Sequence, residues 1–320
     1  MKKLPIASAG YVLLIEGFRE WLDVQGYAVG TIQGMPNIIR EFLHHVEASG
    51  CTRIHALKSQ HIRSYYAHIT SRANERRGGG LSNNTIKKHV EALEKFMHYL
   101  SAGRQMQELP SIGIKPPKVQ RPPIVVLSRE DVAELFKACE AQDGEAKAEA
   151  VRARDRAMLA VFYGCGLRRN EAANLRVEEI DLDTRTLKVR KGKNYKERLV
   201  PLSKSSAQQV AEWIYDHRPV FLGAEPEEAL FIGAGGGAKG RALSGGQLYN
   251  RLKVIQQNAE SAELRARTIG LHTLRHAIAT HLLEAGMELQ KIARFLGHSS
   301  LESTQIYTHL IEEQADGNVR

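Results

Sequence analysis

The most specific chemical signal in this 320-residue chain is the run His272-Thr273-Leu274-Arg275-His276. A helix through it places His272 and Arg275, three residues apart, on one face. Leu271, Leu274, Ile278 and Leu282 supply a neighbouring apolar stripe. A cationic, hydrogen-bonding face beside a buried stripe suits an anchored oxyanion site. A second pair lies upstream in Gly166-Leu167-Arg168-Arg169-Asn170-Glu171, which reads as a sharp turn into a helix. There Arg168 and Glu171 are three apart, so the carboxylate can orient the guanidinium. His272 and His276 have the i, i+4 spacing of a metal pair. The zinc-protease helix, however, needs Glu after the first His, and Thr273 stands there. In residues 233–246, GAGGGAKGRALSGG, the lysine Lys239 is followed by Gly240 and not by Ser or Thr. The phosphate-loop signature therefore fails, and a surface loop is expected.

The elements that must position these residues fall into two groups. Leu14, Phe18, Trp21 and Leu22 recur at helical spacing up to Gly26, and a second helix carries Ile38, Ile39, Phe42 and Leu43. Gly34 and Pro36 make its start irregular, and Pro36 is expected to interrupt it. A third helix covers roughly Ser59 to Thr70. Ser82 opens a fourth, whose stripe is Ile86, Val90, Leu93, Phe96, Met97 and Leu100. Lys87, Lys88 and His89 are read as lying off that stripe, where they solvate the surface or contact phosphates.

Residues 111–126, SIGIKPPKVQRPPIVV, hold two Pro-Pro pairs and form a stiff linker. Ser128 and Asp131 resemble a capping box at the start of the next unit. The charge-dense stretch from Glu140 to Arg156 is expected to include a mobile loop. Leu187–Val189 and Arg198–Leu202 flank KGKNYKE as a β-hairpin. Helices dominate from Gln247 onward.

Composition narrows the function classes. The chain carries a formal net charge of +9, which points to a polyanionic partner. Residues 1–125 contain 17 Lys or Arg against 9 Asp or Glu, so nearly all of the surplus sits there. Such a segment would act as a salt-sensitive phosphate clamp. Aromatic residues make up only 6%, which argues against stacking on unpaired bases. Cys51, Cys139 and Cys165 are odd in number and widely spaced, so neither a disulfide framework nor a zinc site is indicated. The amino-terminal apolar run is broken by Gly10 and Glu16, and no stretch approaches a membrane span, so a soluble, cytoplasmic protein is expected.

Together with Leu296-Gly297-His298 and Tyr307, these motifs resemble the tyrosine recombinase and phage integrase family, closest to its bacterial Xer-type branch. The words that carry the resemblance are YGCGLRRNEAANL, HTLRHAIATHLLEAG and LGHSSLESTQIYTHL. The intervals from His272 to Arg275, Arg275 to His298 and His298 to Tyr307 are 3, 23 and 9 residues, which match that branch. The resemblance is strong from Leu127 to Leu310 and extends in weaker form to the amino-terminal helices.

It implies a mainly α fold with a small antiparallel β-sheet in the catalytic domain, arranged as a two-lobed DNA clamp. A helical core-binding, SAM-like domain would span 1–110, a linker 111–126 and the catalytic domain 127–320. The implied catalytic set is Arg168, Lys193, His272, Arg275, His298 and Tyr307, with Glu171 orienting Arg168. Lys191 is the alternative to Lys193, because the hairpin is one residue longer than the commoner pattern. Lys87, Lys88 and His89 are candidate DNA contacts; His276, His281 and His309 are read as structural or supporting. The short tail, Thr308 to Arg320, contrasts with the helix that family members commonly dock into a neighbouring subunit.

The implied reaction is site-specific recombination of duplex DNA through a 3′-phosphotyrosine, without metal or other cofactor. It would serve integration and excision of a mobile element or Xer-like dimer resolution. The assembly would be a homotetramer or a two-by-two hetero-assembly on paired sites, with no membrane partner. The alternatives are a topoisomerase-like relaxing enzyme and a non-catalytic DNA-binding protein retaining the fold.

Overall fold

The computed structural model describes residues 4–74, 78–103, 106, 109–119, 125–140, 146–190, 197–223 and 227–297. The chain divides into two compact units, Met1–Pro122 and Pro123–Arg320, and the division falls inside the proline-rich segment 111–126.

The first unit is built on α1 (Ala9–Val24), α2 (Val29–Ala48), α3 (Ser59–Ser71) and α4 (Asn83–Ala102). Each presents a stripe at helical spacing: Tyr11, Ile15, Phe18 and Leu22 from α1; Ile39, Phe42, Leu43 and Val46 from α2. Ile62, Tyr65 and Ile69 of α3 and Ile86, Leu93, Phe96 and Leu100 of α4 complete one core. Burying each large apolar side chain contributes about 1.5–3 kcal/mol.

Two expectations are corrected here. Pro36 does not interrupt α2, which starts at Val29 and runs straight through it. Its ring is buried in the core, and Asn37 Nδ2 donates to Gln33 O at 2.8 Å, supplying a side-chain donor in the turn that the proline disturbs. His89 is not off the apolar stripe of α4. It follows Ile86 by three residues, so it shares the inward face, is 4% exposed, and pairs through Nδ1 with Tyr65 Oη at 2.8 Å. Burial lowers its pKa to about 4, with Arg72 adding to the effect. A neutral, buried imidazole is a core group and not a phosphate contact. Lys87 and Lys88 are exposed, and Lys87 pairs with Glu91 at 3.8 Å.

The second unit opens with α5 (Arg129–Ala138), capped as expected: Asp131 N–H donates to Ser128 Oγ at 3.1 Å, and Ser128 N–H to Asp131 Oδ2 at 2.9 Å. In the charged stretch thereafter α6 covers Ala146–Leu159; the remainder, 141–145, where the expected loop would fall, lies outside the described residues. Ala150, Ala153 and Ala157 form its buried stripe, while Arg152 and Arg156 pair with Glu149 and Glu212. A π-helical turn, Ala160–Gly164, leads into α7 (Arg169–Ala173).

The sheet has three antiparallel strands in the order β1 (Ile180–Asp181), β2 (Thr186–Val189) and β3 (Arg198–Pro201). The expected hairpin is β2–β3, with Val189 opposite Arg198 and Leu187 opposite Val200; β1 is an addition to it. Then come α8 (Lys204–Glu212), α9 (Gly245–Gln257), α10 (Ala262–Ala266), α11 (Leu271–Glu284) and α12 (Leu289–Leu296). Residues 233–242 form a loop closed by the bridges Ile232–Ala242 and Gly233–Lys239. Among the described residues no helix is long and apolar enough to cross a membrane.

Candidate active site

Three arginines from three elements converge on the carboxyl-terminal end of α12. Arg198 Nε donates to Phe295 O at 3.2 Å, Arg275 Nη2 to Leu296 O at 2.7 Å, and Arg168 Nη2 to Gly297 O at 2.9 Å. The last carbonyls of a helix lack intrahelical partners and carry its negative pole, so guanidinium groups satisfy both needs. Gly297 ends the helix in the left-handed region at φ +66°. A Cβ there would lie 2.8–2.9 Å from three atoms of Arg198, so this glycine meets a conformational and a steric demand at once.

The other anchor is the turn before α7. Gly166 has φ +60°, and a Cβ there would lie 2.8 Å from Leu296 Cδ2 and 3.1 Å from Phe295 Cε1. Its carbonyl accepts from Arg275 Nη1 at 2.6 Å. Arg275 is only 3% exposed, and these two main-chain bonds fix the plane of its guanidinium. The π-helical turn just upstream is the kind of irregularity that frequently accompanies functional sites.

Arg168 immediately precedes α7, and the Glu171 carboxylate accepts from it twice. Its backbone N–H donates to Oε2 at 2.9 Å and its Nη1 to Oε1 at 2.8 Å. The spacing of three thus does what the sequence implied. Arg198 was not singled out, yet it completes the pair: Nη1 donates to Glu171 Oε1 at 3.1 Å and Nη2 to Oε2 at 2.8 Å. Burial alone would raise the pKa of Glu171. The Arg198 hydrogen bonds, then the Arg168 amide, the Arg198 charge and the Arg168 side-chain hydrogen bond, overcome that effect and hold it at about 2. A signal for Arg198 was present in the strand alternation, since Arg198 shares a face with buried Val200 while Leu199 is exposed.

His272 lies in the first turn of α11, which Thr273 helps to start by accepting from Gly270 N–H at 3.0 Å. Its side chain reaches solvent but is crowded by protein, and that partial desolvation lowers its pKa. Arg275, Arg169 and Arg168 lower it further and Glu171 opposes them, which places all four groups in its surroundings. His276, half-buried, is lowered to about 4 by burial, then by His272 and Arg275. His281, in the last turn of α11, is buried, with Nδ1 2.9 Å from Tyr163 Oη.

Arg168, Glu171, His272 and Arg275 are therefore brought together. Lys193, its alternative Lys191, His298, His309 and Tyr307 lie outside the described residues. Val189 and Arg198, which flank the lysine segment, are paired across the hairpin, and Lys188 and Glu197 form an ion pair at 3.1 Å. Gly297, at the arginine cluster, immediately precedes His298. Among the described residues Glu149, Glu212 and His217 also come together. Arg152 and Arg156 already neutralise those carboxylates, so the trio reads as an ion-pair network.

A model of the phage integrase family matches residues 125–314. Over 298 residues the chain is 29% identical to the tyrosine recombinase XerC of Mycobacterium leprae, covering 93% of this chain and 94% of that protein. Over 299 residues it is 31% identical to the tyrosine recombinase XerD of Pseudomonas aeruginosa, covering 93% and 92%. The crystal structure of XerH site-specific recombinase in a post-cleavage complex with its difH substrate superposes with a TM-score of 0.70. It covers 99% of this chain and 97% of that one at 20% identity, so it speaks for a shared fold. A converging set of buried arginines on a helical, three-stranded scaffold is thus found in a family of DNA strand-transfer enzymes. The chain belongs to the phage integrase family, the tyrosine recombinases.

Proposed function

We propose that this recombinase cleaves duplex DNA at specific sites with Tyr307 and rejoins it to a second site. The observation that carries the reading is the convergence of Arg168 and Arg275 on the end of α12, one residue before His298. A phosphodiester resists attack because its non-bridging oxygens repel nucleophiles and the transition state gathers negative charge. Two oriented guanidiniums, with His272 and His298, counter that charge without a metal ion. Their field also favours the phenolate of Tyr307, whose free pKa is about 10.

The phenolate oxygen forms the new bond to phosphorus as the bond to O5′ breaks, leaving a 3′-phosphotyrosine. Lys193 donates the proton that O5′ takes up, giving a free 5′ hydroxyl. The phosphotyrosine conserves the bond energy, so a 5′ hydroxyl from another strand reverses the step without ATP.

The amino-terminal unit holds the duplex, with Lys87 and Lys88 among its phosphate contacts. Exchange takes place on paired sites within a tetramer, of one chain or of two related ones. It acts on DNA in the cytoplasm, in mobile-element integration and excision or in chromosome dimer resolution.

The test uses a nicked duplex carrying the crossover site mapped from recombination junctions in cells. Tyr307→Phe should bind this duplex yet form no covalent adduct, and excess EDTA should leave the wild-type adduct intact. Lys193→Ala should cleave ordinary DNA slowly but recover on a bridging 5′-phosphorothiolate, whose leaving thiolate needs no proton. An adduct that persists in Tyr307→Phe refutes the assignment of the nucleophile.

A further inference from the structure

Arg198 begins β3, at one foot of the hairpin, and its side chain is only 9% exposed. All three of its nitrogens donate inside the protein: two to the carboxylate of Glu171 and one to Phe295 O. Taking a guanidinium out of water costs several kcal/mol by general estimates unless its partners are well placed. Here a bidentate carboxylate meets that cost, and the same carboxylate holds the amide and Nη1 of Arg168. The other terminal nitrogen of Arg168 reaches Gly297 O, and the closeness of Gly297 to Arg198 leaves no room for a Cβ. Arg168 is thus held by a carboxylate that is itself locked from the opposite side.

We infer that Arg198 is a positioning residue that acts through Glu171 to fix the orientation in which Arg168 meets the scissile phosphate. The inference rests on the recombinase reading above. Without Arg198, Glu171 loses two of the four hydrogen bonds described and is free to rotate. The aim of Arg168 then relaxes, and displacements of about 1 Å in such contacts cost on the order of 10²-fold in rate. A role confined to fastening β3 onto α7 would lower stability and leave the chemistry of the folded protein unchanged.

The test is single-turnover adduct formation by the full-length protein, at saturating concentration, on the nicked duplex described above. Arg198→Ala should slow the reaction about 10²-fold while duplex affinity stays close to that of the wild type. Arg198→Lys, which keeps the charge but not the fork, should recover part of the rate. Glu171→Gln should reproduce the loss. The double variant Arg198→Ala/Glu171→Gln should be no slower than the slower single one, because both remove one bridge.

A bridging 5′-phosphorothiolate should not rescue Arg198→Ala. Rescue would mean that Arg198 acts through the hairpin lysine, and would overturn the inference, as would additive losses. If Arg198→Ala fails to fold by circular dichroism, Arg198→Lys and Glu171→Gln carry the same comparison. A wild-type adduct together with unimpaired Arg198 variants defeats this inference alone. Absence of any wild-type adduct defeats the recombinase reading and the inference with it.

Discussion

The two units bury polar groups in opposite chemical forms. At the end of α12 the groups are charged: Arg275, 3% exposed, donates to main-chain carbonyls, and Arg198 pairs with Glu171 with little of either side chain exposed. In the helical amino-terminal unit the fully buried polar ring is neutral: His89 pairs with Tyr65, while half-buried His45 stacks on exposed His68 with centroids 4.9 Å apart and the Arg72–Glu41 ion pair is only partly buried. Burial lowers the pKa of His45 below its ordinary 6.5, and the neighbouring His68 and His44 lower it further.

Neutral pairs give a core directional hydrogen bonds at small desolvation cost, whereas buried ions are costly unless something uses their charge. Buried charge in the second unit is accordingly paired, at Glu171 with Arg168 and Arg198 and, away from that cluster, at Asp155 with Arg154 and Arg251. The acid responses also differ. A histidine with a depressed pKa gives its full stability above pH 6.5 and loses it as pH falls toward its folded value. Glu171, held at about 2 against an ordinary 4.5, keeps its contribution until pH falls below about 4.5.

The largest expected effect is at Arg275. Under the proposed mechanism Arg275→Met removes one transition-state contact, and it leaves Gly166 O and Leu296 O without that donor, so cleavage at saturating DNA should fall about 10²–10³-fold. A rate within a factor of a few of the wild type would make the buried charge merely structural and break the contrast. Gly297→Ala comes next. It forces a Cβ into the left-handed region and against Arg198, which should destabilise the second unit by about 1–3 kcal/mol in denaturant unfolding.

His89→Gln keeps a partner for Tyr65 but cannot titrate. The wild type should lose about 1 kcal/mol relative to this variant on going from pH 7.5 to pH 5.5. Each unit holds one tryptophan, Trp21 and Trp213, so fluorescence of a Trp213→Phe background reports the amino-terminal unit alone. Equal pH dependence in the two proteins would remove the neutral-core half of the comparison. The smallest effect is expected at the surface: Lys88→Ala should weaken DNA binding and reduce the salt slope by about 1, measured by titration at several salt concentrations.

Much of this contrast was legible in the sequence, for physical reasons that also explain what was missed. His272, Arg275, Arg168 and Glu171 declare themselves because short helical spacings bring such pairs together without help from the rest of the fold. Arg198 joins them from a strand, 27 residues beyond Glu171, and only the three-dimensional packing reveals the contact. Its alternation with exposed Leu199 was the available clue. His89 was misplaced because a polar residue type was allowed to outweigh its position three residues after Ile86. Pro36 was given its intrinsic propensity, which core burial overrides. The helix within the charged segment up to Arg156 is hard to read because its buried stripe is alanine, which carries a weak apolar signal.

The most direct test of the central claim, that this arginine cluster serves a tyrosine nucleophile, is to identify the peptide joined to DNA. The adduct trapped on a nicked duplex would be digested with protease and nuclease and the nucleotide-bearing peptide sequenced by tandem mass spectrometry. The modification should fall on Tyr307, with the adduct strongly reduced in Arg168→Ala and Arg275→Ala. A nucleotide on Tyr163, Tyr249 or any other residue, or an adduct formed as readily without either arginine, would contradict it.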